Sequence, residues 1–335
     1  MNFINTYPLI NPAKIQHQKQ PMIKTLKIIA LSTLMTMSMP LIAATNERTT
    51  LPRMPVVQSG TIERMPLFQS KFVQARHIDV WLPANYTPKK RYSVLYMHDG
   101  QMLYDASITW NKQAWHIDRA VSQLMEQGRL PDTIIVGVWN ISALRHSEYF
   151  PEKALALITE PARSQFIEKG MDGTVLADRY LRFLVEELKP AIDQHYSTLP
   201  DREHTFIMGS SMGGLISLYA ISEYPDVFGG AACLSTHWTG YFVANSVVPL
   251  ALFNYVQLHL PDPAHHRIYM DRGTETLDAL YAVPQPVVDQ LILDKGYDHD
   301  HFMSRVFQGA KHTEIDWSGR LDLPLQFIMG EKIVQ

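Results

Sequence analysis

Gly209-Ser210-Ser211-Met212-Gly213 sets Ser211 at the centre of a Gly-x-Ser-x-Gly pattern, the arrangement in which a serine can attack an acyl carbon. In that pattern the serine occupies a sharp strand-to-helix turn. Both glycines are expected to be required, because a Cβ at either position would collide with neighbouring backbone. The flanking residues suit the turn. Thr205 to Met208 form a short β-type run, and Leu215, Leu218 and Tyr219 follow at helical spacing before Pro225 ends the helix. Such a frame argues against a glycine-rich surface turn carrying a solvated serine.

A serine hydroxyl is a weak nucleophile until a base takes its proton, and a third group must hold that base in the right tautomer. With the nucleophile on the elbow, the acid and then the histidine are expected downstream, on loops after later strands. His312, in Gly309-Ala310-Lys311-His312, directly follows the last predicted strand and is the candidate base. His299 and His301 precede that strand and would lie at its wrong end. For the acid, the loop after Arg267 to Met270 offers Asp271, Glu275 and Asp278. Glu275 is favoured, since Gly273-Thr274 lets the chain turn a carboxylate back over the strand tip, and Asp271 could equally shape the turn. The oxyanion needs two backbone donors. Met212 supplies one, and Gln101, in His98-Asp99-Gly100-Gln101 after an early strand, supplies the other. His98 precedes the nucleophile and is read as bonding locally.

Other polar clusters have plainer readings. Asp298-His299-Asp300-His301 alternates like a metal-binding segment, but with no further ligands in view it reads as a solvated loop, and no metal or cofactor is expected. His265-His266 reads as the polar lead-in to a strand.

The elements that must position these groups alternate. Ile62 to Gln69 and His77 to Leu82 read as two leading strands. Val94 to Met97, Ile134 to Val138, Gly230 to Leu234, Arg267 to Met270 and Ser304 to Phe307 read as further strands, most of them short continuous apolar runs. Between them fall helical stretches over Trp115 to Leu130, Val175 to His195, from about Val247, and over Val287 to Leu293. Pro190 is expected to kink or divide the second of these. The pattern predicts an α/β class: a mostly parallel sheet with helices on both faces and an antiparallel leading edge.

Tyr96-Met97-His98-Asp99-Gly100-Gln101, the Met208 to Gly214 elbow, Asp271-Arg272-Gly273-Thr274-Glu275 and Gly309-Ala310-Lys311-His312 together resemble the putative esterase family of α/β hydrolases. Its members include enterochelin esterases, feruloyl esterases, S-formylglutathione hydrolase and bacterial mycolyltransferases. The likeness runs from about Ile62 to the C-terminus. It implies an α/β-hydrolase fold, Ser211 as nucleophile, His312 as base, the Met212 and Gln101 amides as oxyanion donors, and a serine esterase acting through an acyl-enzyme. An acyltransferase using the same groups, and a binding protein on a lapsed hydrolase scaffold, are the alternatives.

The chain as a whole sets limits. Its 335 residues carry 30 basic against 33 acidic side chains, a balance that asks for neither nucleic acid nor an anionic surface as partner. An apolar content of 46% with only 19% charged residues is the profile of a globular protein. Cys233 is the single cysteine, so an intrachain disulfide is excluded, and its apolar neighbours predict a buried thiol. Lys24 and Lys27 precede an uncharged stretch, Ile28 to Ala44, with Pro40 and Ala43-Ala44 near its end. Residues 1–44 therefore read as an N-terminal extension and secretory signal peptide, the true start being Met22 if translation begins at the second methionine. Residues 45–335 then form one catalytic domain, periplasmic or secreted, with no stable membrane insertion after signal removal. The expected partner is a small-molecule or glycosidic ester. Trp110, Trp115, Trp139, His237 and Trp238 fall near predicted C-terminal strand ends, where a cleft is expected, and Arg145 could meet an anionic or sugar group.

Overall fold

The computed structural model describes residues 51–330. The proposed signal segment, residues 1–44, lies outside them. The framework is one eight-stranded sheet: β1 (Thr61–Phe68), β2 (Arg76–Leu82), β3 (Ser93–His98), β4 (Thr133–Val138), β5 (Thr205–Ser210), β6 (Gly230–Leu234), β7 (Arg267–Arg272) and β8 (Phe302–Val306). Their order across the sheet is β1-β2-β4-β3-β5-β6-β7-β8. β2 runs antiparallel to both β1 and β4, while β3 to β8 are parallel throughout. This is the α/β-hydrolase arrangement, with the antiparallel leading edge that the sequence predicts.

Every residue of β3, β4, β5 and β6 is buried, which is why their central residues are apolar, with polar side chains only at strand ends. Alternate residues feed opposite faces. Val94, Tyr96 and Ile207 join one core with Leu215 and Ile216 of the helix after β5, whereas Leu95, Met97, Phe206 and Met208 join another with Val121 and Leu325. Two helical layers thus clamp the sheet. The strand tips at the C-terminal edge are left to carry loops.

The helical stretch from Ala177 to His195 departs from its predicted break. It continues through Pro190, and its irregularity is a π segment, Phe183–Leu188, one turn earlier. Pro190, which has no N–H to donate to the preceding turn, lies two residues beyond this π segment, so the departure from regular α bonding falls beside it. The chain between β4 and this stretch adds three short helices, over Arg145–Tyr149, Glu152–Leu155 and Ala162–Gly170, that periodicity did not reveal.

Candidate active site

At the tip of β5 the chain turns within one residue. Ser211 adopts φ 59° and ψ −121°, a conformation L-residues rarely hold, before the helix Met212–Glu223 begins. Main-chain bonds fix it there. Its N–H donates to Leu234 O at 2.9 Å, and its carbonyl accepts from Gly214 N at 3.0 Å, Leu215 N at 3.2 Å and His237 N at 3.2 Å. A Cβ on Gly209 would lie 2.8 Å from the backbone of Gly213, so that glycine is obligatory. Gly213 differs from expectation: a Cβ there would make only an ordinary 3.5 Å contact with His98. The second tight position is Gly214, whose Cβ would meet Thr236 Oγ1 at 2.7 Å.

Beside it, the tip of β3 carries the second loop. Asp99 takes a left-handed conformation, φ 57°, and a Cβ on Gly100 would come within 2.6 Å of the Gly137 carbonyl group on β4. Asp99 is clamped by Arg145, at 2.8 and 2.7 Å, and by Asn140 Nδ2 at 2.5 Å. Burial would raise its pKa, but the Arg145 guanidinium and the Asn140 bond hold the carboxyl below its ordinary range. The Gln101 side chain accepts from Asn140 N at 3.1 Å, bracing the loop. Arg145 therefore lines the cleft already paired. His98 does not bond locally: its Nδ1 pairs with Tyr180 Oη at 2.8 Å, across 82 positions of sequence, and burial keeps it neutral with a pKa of about 3.

The imidazole of His312 meets a carboxylate through Nδ1, at 2.5 Å, and that carboxylate is Asp278. Glu275, the preferred acid, is not there. It is exposed at the head of the 3₁₀ segment Thr276–Ala282, and its N–H, like that of Thr274, donates to Ala310 O at 3.0 Å. The turn that Gly273 permits is real, but it carries the chain one 3₁₀ turn further before a carboxylate points inward. Asp271 is buried in an ion pair with Arg320, at 2.8 and 3.0 Å, and does not face His312. Asp278 has no solvent exposure and also accepts from Ser235 Oγ at 2.6 Å and from Gly273 N. Burial alone would raise its pKa; the bonds from His312, Ser235 and Gly273 outweigh that and lower it. Ser235 Oγ in turn receives Trp317 Nε1 at 2.9 Å and Arg320 Nη2 at 3.1 Å. With Nδ1 committed to Asp278, Nε2 is the nitrogen of His312 left for the cleft.

Ser211, Met212, Gln101 and His312 all border one cleft of about 810 Å³. Trp110 is on its rim, 83% exposed, and His237 and Arg145 are in its wall. Trp238 is not. It is fully buried and donates Nε1 to Gln285 Oε1 at 2.7 Å. Trp139 is likewise turned away, bonded to Asp79 at 2.9 Å beneath Arg64. The sequence reading missed Tyr281, whose phenol bonds Nδ1 of His237 in the cleft wall at 2.7 Å. Its spacing was the available signal, since residues three apart on a 3₁₀ helix share a face and Tyr281 follows Asp278 by three. The Asp-His-Asp-His loop closes on itself, Asp298 accepting from His301 at 2.7 Å before β8, at the sheet edge opposite the cleft. Among the described residues no group of three or more His, Cys, Asp or Glu side chains could hold a metal.

The fold and the chemistry at these strand tips define a carboxylic ester hydrolase. The model of the family described as "Putative esterase" matches residues 70–322, and the chain belongs to that family. The "Uncharacterized protein YbbA" of Bacillus subtilis is 24% identical over 263 residues, covering 76% of this chain and 93% of that protein. The ferri-bacillibactin esterase BesA of the same organism is 26% identical over 181 residues, half of this chain and 56% of that one. Among solved structures, the ferulic acid esterase AmCE1/Fae1A from Anaeromyces mucronatus superposes with TM-score 0.57 at 21% identity, covering 82% of this chain and 93% of that chain. The enterobactin esterase FES from Shigella flexneri does so with TM-score 0.57 at 16% identity, covering 82% and 60%. At these identities the superpositions speak for the fold.

Proposed function

We propose that the protein is an exported serine esterase in which Ser211, His312 and Asp278 form the triad. The observation that carries this is the 2.5 Å bond between His312 Nδ1 and the buried Asp278, in a cleft shared with the strained elbow serine. Ser211 Oγ attacks the ester carbonyl as His312 Nε2 takes its proton, and Asp278 stabilises the imidazolium. The amides of Met212 and Gln101 receive the oxyanion. His312 then protonates the departing alcohol, leaving an acyl-serine that water, activated by the same imidazole, hydrolyses. Export rests on the signal-like stretch Ile28 to Ala44; among the described residues no helix is long and apolar enough to cross a membrane.

The substrate class is a small ester with an acyl or alcohol part of aromatic or sugar size. Relatives named as esterases of ferulic acid and of ferri-bacillibactin support this, as do the cleft's volume and the Trp110, Trp115 and Trp317 side chains along it. The test is labelling by a fluorophosphonate probe and turnover of aryl and alkyl esters. Wild type labels on Ser211 and hydrolyses; Ser211→Ala loses labelling and about 10⁴-fold or more in kcat. A folded Ser211→Ala protein that still turns over esters at the wild-type rate would overturn the proposal.

A further inference from the structure

One hydroxyl in the interior joins the catalytic carboxylate to a buried ion pair, and the chemistry of its neighbours leaves it a single orientation. Ser235, one residue past the end of β6, has no solvent exposure and takes a positive φ of 43°. Its N–H donates to the Asp271 carbonyl at 2.9 Å, which fixes where its side chain starts. Around Oγ stand Trp317 Nε1 at 2.9 Å, Arg320 Nη2 at 3.1 Å and Asp278 Oδ2 at 2.6 Å. Indole and guanidinium nitrogens can only donate. Both lone pairs of the hydroxyl are therefore taken, and its one proton goes to Asp278.

That orientation is passed on to the carboxylate. Oδ2 of Asp278 also accepts from the Gly273 N–H, so this oxygen holds two donors, and among the described residues Oδ1 is left with His312 Nδ1 alone, at 2.5 Å. A proton on Oδ2 would face both donors, so the seat takes the ionised form. Trp317 and Arg320 are three residues apart and joined by a bond from Arg320 N to Trp317 O at 3.1 Å, so one turn of chain presents both donors to Ser235. The same turn touches the base: the Trp317 ring stands edge-on to that of His312, with centroids 4.9 Å apart at 82°. Arg320 is itself held by Asp271, at 2.8 and 3.0 Å.

Resting on the esterase reading, we propose that Ser235 is a positioning residue for the reaction: its hydroxyl, oriented by Trp317 and Arg320, locks the Asp278 carboxylate so that Oδ1 faces His312 throughout turnover. Ser235 is fully buried and does not border the cleft, so it acts through Asp278 and never on the substrate. The imidazolium that forms as Ser211 attacks then meets a carboxylate already in place. A carboxylate free to turn would have to be reoriented in every cycle, and the stabilisation that comes from fixed charge would be lost.

The experiment measures Ser235→Ala in the wild-type and Asp278→Asn backgrounds on one aryl ester. In the wild-type background kcat falls about tenfold to a hundredfold, the worth of a hydrogen bond to a charged group, while KM stays within about threefold. In Asp278→Asn, which has no charge left to seat, the same substitution changes kcat by less than about threefold. Equal factors in the two backgrounds, or a rise in KM without a fall in kcat, overturn the proposal, because a role confined to packing would cost the same in each. If the alanine variant does not fold, Ser235→Cys takes its place. Its thiol is a weak donor, so a smaller fall in kcat is expected, and wild-type kcat overturns the proposal. The proton NMR signal of His312 Nδ1–H, assigned by its absence from His312→Ala, gives a readout that needs no turnover. Its displacement in Ser235→Ala upholds the seat even if Ser211 proves not to be the nucleophile. An unmoved signal refutes the seat even if the triad holds.

Discussion

Ser211 at the tip of β5 and Asp278 beyond the tip of β7 reach the same cleft by opposite means. The serine is placed by main chain: a positive φ, four backbone hydrogen bonds and the absence of a side chain at Gly209 and Gly214. The carboxylate is placed by side chains drawn from two distant segments of the sequence: Ser235, and His312 with Trp317 and Arg320 behind them. Backbone geometry is written in a few adjacent residues, whereas a side-chain network is assembled only when distant segments meet. The first can be read in a line of sequence and the second cannot.

The contrast can be broken at several strengths. Ser211→Ala, the largest effect, tests the nucleophile by loss of labelling and turnover. Asp278→Asn removes the charge facing His312 and should cost roughly 10²- to 10⁴-fold in kcat/KM. Glu275→Gln, on the exposed head of the same segment, should leave kcat/KM within about twofold; the reverse pattern would return the acid to Glu275. Arg320→Ala strips the partner from buried Asp271 and should destabilise by about 3–5 kcal/mol in a denaturant titration. If loss of stability were small, the side-chain network would not be what holds this corner.

Gly209→Ala and Gly213→Ala then probe the elbow itself. The first forces a Cβ against Gly213 and should cost roughly 1–3 kcal/mol; the second meets only His98 at contact distance and should change thermal stability little. Equal losses would show that the pattern's second glycine is needed for another reason. The smallest effect is in pH dependence. Asp278 has a depressed pKa, so its stabilising contribution is full above the ordinary carboxylate pKa and is lost as pH falls through the folded value. The gap in melting temperature between wild type and Asp278→Asn should narrow as pH drops into the carboxylate range.

The same distinction explains how much was legible. The strands, their mostly parallel order and the elbow followed from apolar runs and one local pattern. The acid did not, because three carboxylates share one loop and only burial separates them: Asp271 belongs to Arg320, Glu275 to solvent, Asp278 to His312. Trp238 was drawn into the expected cleft by its position near a strand end, yet its indole needed Gln285 and turned inward. Pro190 predicted a break, and the chain instead widens into a π segment just before it and stays helical.

The bond of Ala310 O with both Thr274 N and Glu275 N makes the loops after β7 and β8 a single mechanical part, and a Cβ on Gly273 would lie 2.2 Å from that carbonyl oxygen. Asp278 and His312 therefore travel together. A chimaera that grafts the β7 loop of another esterase onto this scaffold, without its β8 loop, would import a carboxylate with no seat for it. Exchange of substrate preference between relatives should succeed when the cut points enclose both loops, and fail when they fall between them.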